Sequence, residues 1–316
     1  MIKEGKVYFS AGIWPFMGSF IHCLDAKSGK VIWTNDSSGS IFMLQPHNSP
    51  AFAGPAPQGS LTVAGSKLLV PNGRSVPACF DKATGEFLYY RLAPNAKRGG
   101  SDVAAAGEYF FNSRGTGATL YHLGSGGYRK GYAMPHPVVT ESAYYFGGKK
   151  VVAIDPKSIR RIDYKVRQRD RKTGKWVLVP AVRWTLRSLW NCPVDATGAL
   201  IKAGGRLYAG GDGRISAIRP PAEAAAKDSP ELPVGKVVWS ARLRGEVREL
   251  VAANDYLIAV TDRGDIHCYG RRWLWWPKRH KAPTPKRPKA DPVTARAMEI
   301  LSRTKVTAGY GVVYGL

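Results

Sequence analysis

Asp25-Ala26-Lys27-Ser28-Gly29-Lys30-Val31-Ile32-Trp33 reads as an aspartate that opens a tight turn, a glycine that completes it, and a strand carrying an aromatic four residues further on. An Asp side chain accepts hydrogen bonds from the backbone that follows it, and Gly supplies a positive φ at no steric cost. The unit returns as Asp81-Lys82-Ala83-Thr84-Gly85-Glu86-Phe87-Leu88-Tyr89. A third copy keeps only its end, Gly235-Lys236-Val237-Val238-Trp239, and a looser fourth is Asp170-Arg171-Lys172-Thr173-Gly174-Lys175-Trp176. Such self-similarity predicts a repeat architecture in which each unit buries its faces against its neighbours.

A strand pair precedes each turn. It is clearest in Gly204 to Ile218, where two alternating apolar runs flank Asp212-Gly213, a strong hairpin signal. Further pairs join Val7–Ser10 to Phe20–Leu24, Leu68–Val70 to Ala78–Phe80, Tyr109–Phe111 to Leu120–Leu123, Tyr144–Phe146 to Val151–Ile154, and Tyr256–Val260 to Asp265–Tyr269. These are six units, roughly 35 to 60 residues apart, the spacing of one propeller blade plus a variable insertion. The longest insertions run from about Lys157 to Leu186 and from Pro220 to Leu232. The predicted fold is therefore all-β: a β-propeller of four-stranded blades over residues 1–270, with at least six units and seven or eight in a complete ring. The recurring Trp or Tyr is expected to fill the gap between blades.

The 316 residues carry 47 Lys and Arg against 23 Asp and Glu, a net charge of +24. One basic cluster lies between Lys157 and Lys175, and another between Arg271 and Lys289 holds eight Lys/Arg and no acid. Both read as solvated segments, with polyanion binding the functional alternative. No apolar run is long enough for a transmembrane helix, and the N-terminus shows no export signal. Of four cysteines, Cys23, Cys79 and Cys268 share one repeat position, which predicts a small buried residue rather than a disulfide or metal ligand.

The hairpin ending in Leu-Asp, the Ser/Thr-Gly-Lys turn and the following Trp together resemble the pyrroloquinoline-quinone (PQQ, quinoprotein) type propeller repeat. That repeat is shared by quinoprotein alcohol dehydrogenases and outer-membrane protein assembly lipoproteins. The resemblance spans about Gly5 to Gly270 and is closest at Gly29–Trp33 and Gly235–Trp239. It implies a periplasmic or cell-envelope setting and, in the dehydrogenases, a quinone over a Trp floor with a Ca²⁺ held by acid and amide ligands. The vicinal cysteine pair typical of those enzymes is absent from the sequence. Asn48, Asn72, Asn112 and Asn191 are available amides, though the sequence does not place them beside an acid.

Residues 271–291 read as a basic, Pro/Trp-rich linker whose Trp273, Trp275 and Trp276 pack on the last blade or act as a membrane-surface anchor. Asp291-Pro292 then predicts a capped helix, and Gly311 to Leu316 an apolar strand. Residues 292–316 thus resemble the truncated, Rossmann-like start of a class I S-adenosylmethionine-dependent methyltransferase. With both ends reading as cut, the chain is expected to be a fragment of a larger multidomain protein.

Loops on a rigid propeller are where binding residues concentrate. The candidates are Gln45, His47, Asn48 and Gln58 in the first inter-unit loop, Arg74 with Ser75 in the next hairpin, and His136. No Ser, Cys or carboxylate pair has the spacing of acyl transfer or glycoside hydrolysis. The functional expectation is a non-catalytic binding or scaffolding propeller with a protein or other macromolecular partner. The alternatives are a PQQ- and calcium-dependent oxidoreductase, and a substrate-selecting module of a methyltransferase.

Overall fold

The computed structural model describes residues 1–12, 17–45, 49–73, 75–92, 99–134, 136–223, 231–270, 280 and 291–304. The chain divides into two compact units, Met1–Arg271 and Arg272–Leu316.

In the first unit, β1 (Ile2–Lys3), β2 (Lys6–Ala11), β3 (Phe20–Asp25) and β4 (Val31–Asn35) form an antiparallel four-stranded blade I. A small hairpin, β5 (Phe42–Leu44) and β6 (Pro50–Phe52), leads to blade II: β7 (Thr62–Ala64), β8 (Lys67–Asn72), β9 (Ser75–Asp81) and β10 (Phe87–Tyr89). Blade III contains β11 (Asp102–Ala106), β12 (Tyr109–Arg114), β13 (Gly117–His122) and β14 (Tyr128–Tyr132). Blade IV takes β15 (Val138–Val139), β16 (Tyr144–Phe146) and β17 (Val151–Ile154). The chain then leaves as a separate ribbon, β18 (Arg160–Arg169) with β19 (Trp176–Thr185), and returns as β20 (Ser188–Cys192) to complete the blade.

The last sheet strings β21 (Ala199–Ala203), β22 (Arg206–Arg219), β23 (Lys236–Ala253), β24 (Tyr256–Thr261) and β25 (Ile266–Tyr269) together. The first half of β22 pairs with β21 and the second with β23, with Gly213 at φ +66° between them. Leu207 and Ile218 share one core cluster while Tyr208 and Ile215 share the next, as a chain folded back at Asp212-Gly213 requires. The 18-residue β23 serves two blades: Lys236–Glu246 pairs with β22, and Val247–Ala253 pairs with β24. Among the described residues blade VI comprises the C-terminal half of β23 with β24 and β25.

Five apolar clusters join the six blades consecutively. Tyr8, Ile21 and Trp33 meet Leu68 and Phe80 between I and II, and Leu69 and Cys79 meet Phe110 and Tyr121 between II and III. Phe111 and Leu120 meet Tyr144 and Phe146 between III and IV. Tyr145 and Trp190 meet Leu207 and Ile218 between IV and V, and Ile215 meets Val247 and Leu257 between V and VI. Burial on both faces explains the near-continuous apolar strands, since an interior blade has no solvent side.

The repeat turn explains the interfaces in detail. In each Asp turn the carboxylate accepts the amides two and three residues on, as Asp81 does from Ala83 (2.8 Å) and Thr84 (3.0 Å). Gly85 follows with φ +76°, and its bare face lies against the Trp33 indole of the preceding blade. Trp33 Nε1 donates to Lys82 O (3.2 Å) in that turn. The next interface repeats the arrangement, with Gly126 under Tyr89 and Tyr89 Oη donating to Leu123 O (2.7 Å). The aromatic fills the inter-blade gap, and the turn glycine of the following blade makes room for it.

The structure corrects two readings of the sequence. The Asp170–Trp176 copy has the expected turn, with Asp170 Oδ1 accepting from Lys172 and Thr173, but it closes the ribbon rather than a blade. Trp190 takes the inter-blade role in blade IV, 4 % exposed against Tyr145. Cys23 and Cys79 are buried as expected, whereas Cys268 is exposed, since no apolar cluster among the described residues covers that strand of blade VI. In the second unit, α1 (Pro292–Thr304) forms with Asp291 Oδ1 accepting the Thr294 amide, as the cap predicted. The linker tryptophans and the Gly311–Leu316 strand lie outside the described residues.

Candidate functional site

Antiparallel alternation sorts the connections of the propeller to two ends. The first-to-second and third-to-fourth strand turns lie at one, the turn end. The second-to-third turns and the blade-to-blade connections lie at the other, the loop end, and the expected site residues that are described, Gln45, Gln58, Ser75 and His136, fall there. His47, Asn48 and Arg74 lie outside the described residues. Gln45 serves its own hairpin: its Nε2 donates to Met43 O (3.1 Å) and its amide to Ser49 O (3.0 Å). Gln58 is exposed and does reach the next blade. Its amide donates to Pro71 O (2.8 Å), it bridges to Asn72, and its side-chain oxygen lies over Gly73 in the β8–β9 turn. Ser75 is buried and donates to Tyr90 Oη (3.0 Å). His136 holds a φ of +49° and places Nδ1 3.4 Å from Asp102 Oδ2, with both side chains largely exposed.

Further loop-end features stand out, of which the sequence offered Asn72 and Asn112 as amides without a place and did not single out Asp195. Asn72 and Asn112 are buried; Asn72 Nδ2 donates to Val70 O (3.0 Å), and Asn112 Nδ2 to Gly100 O (3.0 Å), which leaves each Oδ1 buried without a donor among the described residues. A buried acceptor of this kind is a position for a water or ligand donor. Asp195 is pushed up by partial burial, yet the hydrogen bonds from the Thr197 hydroxyl (2.6 Å) and from the Thr197 and Asp212 amides outweigh it and hold the carboxyl below its ordinary range. Asp195-Ala196-Thr197 carries an Asx-turn signal that could have marked it. Blade III also opens a shallow cleft of about 420 Å³ lined by Arg114, Thr116, Thr119, Tyr128 and Tyr132.

Chemically, this end offers amide acceptors, an exposed His–Asp pair and carboxylates already engaged with backbone amides. That inventory suits recognition of a polar surface. For a quinone, the described residues of this end offer no tryptophan floor. The described tryptophans that belong to blades, Trp33, Trp190 and Trp239, all sit on outermost strands, Trp33 and Trp190 in inter-blade packing and Trp239 edge-on to Tyr269. Among the described residues no three His, Cys, Asp or Glu side chains gather in one place.

Comparison with solved structures finds BamB from Moraxella catarrhalis at 14% identity over 85% of this chain and 82% of that one, with a TM-score of 0.42. The computationally designed Ika8 protein aligns at 14% identity over 85% and 69%, TM-score 0.43. Kluyvelomyces marxianus Hsv2 aligns at 8% identity over 83% and 75%, TM-score 0.46. No curated protein sequence matches the chain. The family model described as outer membrane protein assembly factor BamB matches residues 18–272, which spans nearly all of the six blades, and on that match the chain belongs to the BamB family.

Proposed function

We propose that this chain is a non-catalytic binding or scaffolding propeller, a module of a larger multidomain protein, which presents its loop end to a protein partner. The observation that carries the reading is how the loop-end polar groups are used. Gln45, Ser75, Asn112 and Asp195 hold backbone and neighbouring groups in place, which builds a fixed polar surface on a rigid core. Membership of a family described as an assembly factor agrees with partner binding and supports a place in the cell envelope.

The quinone-dependent reading needs a tryptophan floor and a calcium ligand set, and no arrangement among the described residues favours it. The methyltransferase reading has only the capped α1 behind it. A photo-crosslinker at Gln58 or Asp102 is expected to capture one defined protein from the organism's own extract, while the same label at Lys27, at the turn end, does not. Steady oxidation of an alcohol or sugar by the purified chain with PQQ and Ca²⁺ would overturn the proposal.

A further inference from the structure

The β18–β19 ribbon belongs to no blade. It leaves blade IV at the turn end, away from the loop end, so any role it has is independent of the binding role proposed for that opposite end. Its ten pairs run from Arg160–Thr185 to Arg169–Trp176, about 33 Å at ~3.3 Å per residue. Its base is held to blade III, where the Arg129 guanidinium sits 4.3 Å above the Trp184 ring. Its tip is a well-made turn: Asp170 caps the amides of Lys172 and Thr173, and Arg169 Nε donates to Gly174 O (2.9 Å).

Neither face of the distal half is covered. By register, one face sets Tyr164 and Val166 beside Val179 and Val177, and the other sets Arg167 and Arg169 beside Leu178 and Trp176. Trp176 is 63% and Leu178 62% exposed. A two-stranded hairpin is marginally stable in water by itself, and this one shows solvent a tryptophan and several aliphatic side chains. Between residues 160 and 185 there are nine Lys/Arg and two Asp. Asp163 is paired with Arg161 (2.7 Å) and Asp170 faces its own turn. The tip therefore carries Arg167, Arg169, Arg171, Lys172 and Lys175 against the single carboxylate of Asp170, a clear cationic excess.

From this pairing of exposed apolar and cationic side chains we propose that the ribbon tip docks on the surface of an anionic lipid bilayer. Trp176 and Leu178, side by side on one face, enter the interfacial layer, and the five cations meet the headgroup phosphates. A second copy of the chain would set like charges against like. A nucleic acid would use the cations and leave the aliphatic side chains in water.

The test is flotation of the full chain with phosphatidylcholine vesicles, with and without phosphatidylglycerol. Binding is expected only to the anionic vesicles and is expected to fall with added salt. Cations near an anionic surface each change partitioning roughly fivefold, so Arg167→Gln/Arg171→Gln/Lys172→Gln is expected to lower it on the order of a hundredfold. Trp176→Ser/Leu178→Ser is expected to lower vesicle binding at least tenfold and to leave binding to a DNA duplex unchanged. All five positions are exposed and outside the blade cores, so an unchanged melting temperature confirms that each variant is folded. Equal binding to neutral vesicles, vesicle binding unaffected by either variant, or an aromatic variant that loses DNA rather than vesicles would each overturn the proposal.

Discussion

Gly85 and Trp33 show how one residue position is set by a neighbour about fifty positions away. Gly85 needs a positive φ for its turn, and a Cβ there would run into the Trp33 ring. Gly29 has the same turn, at φ +70°, with nothing within 4 Å. Gly85→Ala should therefore cost backbone strain plus overpacking, about 1–3 kcal/mol more than Gly29→Ala, which costs strain alone. Equal urea midpoints for the two variants would show that the glycine has no packing role. Trp33→Ala removes a 9 %-exposed ring and its hydrogen bond to Lys82, and is expected to cost about 3–5 kcal/mol in the same titration. This pairing was legible in part: the turn and the aromatic are local and readable, but which glycine meets which aromatic depends on blade order. The same limit applies at the loop end. Gln58 could be read from its loop, whereas the buried acceptors of Asn72 and Asn112 depend on how backbone carbonyls come together. The role of Trp190 was hidden because the ribbon separates it from the turn that would have announced it.

At the scale of the element, the strands were readable by alternation and the merged ones were not. Asp212-Gly213 reads correctly as a fold-back, yet nothing local marks Lys236–Ala253 as one strand shared by two blades, because Gly245 bends it without breaking it. The inter-blade strands also carry the tyrosines that respond to pH. Burial, chiefly, pushes the Tyr8 hydroxyl up to about 12 and raises Tyr89, Tyr132 and Tyr144 as well. A folded value above the unfolded one, about 10, means the unfolded chain gives up these protons first. The stability they confer is present below about pH 10 and is lost as pH rises through the folded values. Urea midpoints should therefore be flat near pH 9 and fall steeply from about pH 10 upward. A midpoint constant to pH 12 would contradict the burial of these rings.

For the propeller unit, the described residues form five apolar interfaces for six blades and leave the outer faces of blades I and VI without a described neighbour. Blade I exposes Phe9, Val31 and Ile32, and blade VI exposes Val251, Tyr256 and Ile266. Repeat arrays take their stability from nearest-neighbour interfaces, so a blade with one interface opens before a blade with two. Amide hydrogen exchange is expected to be slowest in β8, β9, β12 and β13 and fastest in β2–β4 and β24–β25. Uniform protection across all six blades would show that the terminal faces are covered. The central claim is that this chain keeps a quinoprotein-type repeat as a binding scaffold. Its most direct test is the melting temperature with and without PQQ plus Ca²⁺. Ligand at a hundred times its Kd adds about 2.7 kcal/mol, roughly 5–10 °C for a unit of this size. We predict one cooperative transition that the quinone and calcium leave in place, and a saturable upward shift would contradict the account.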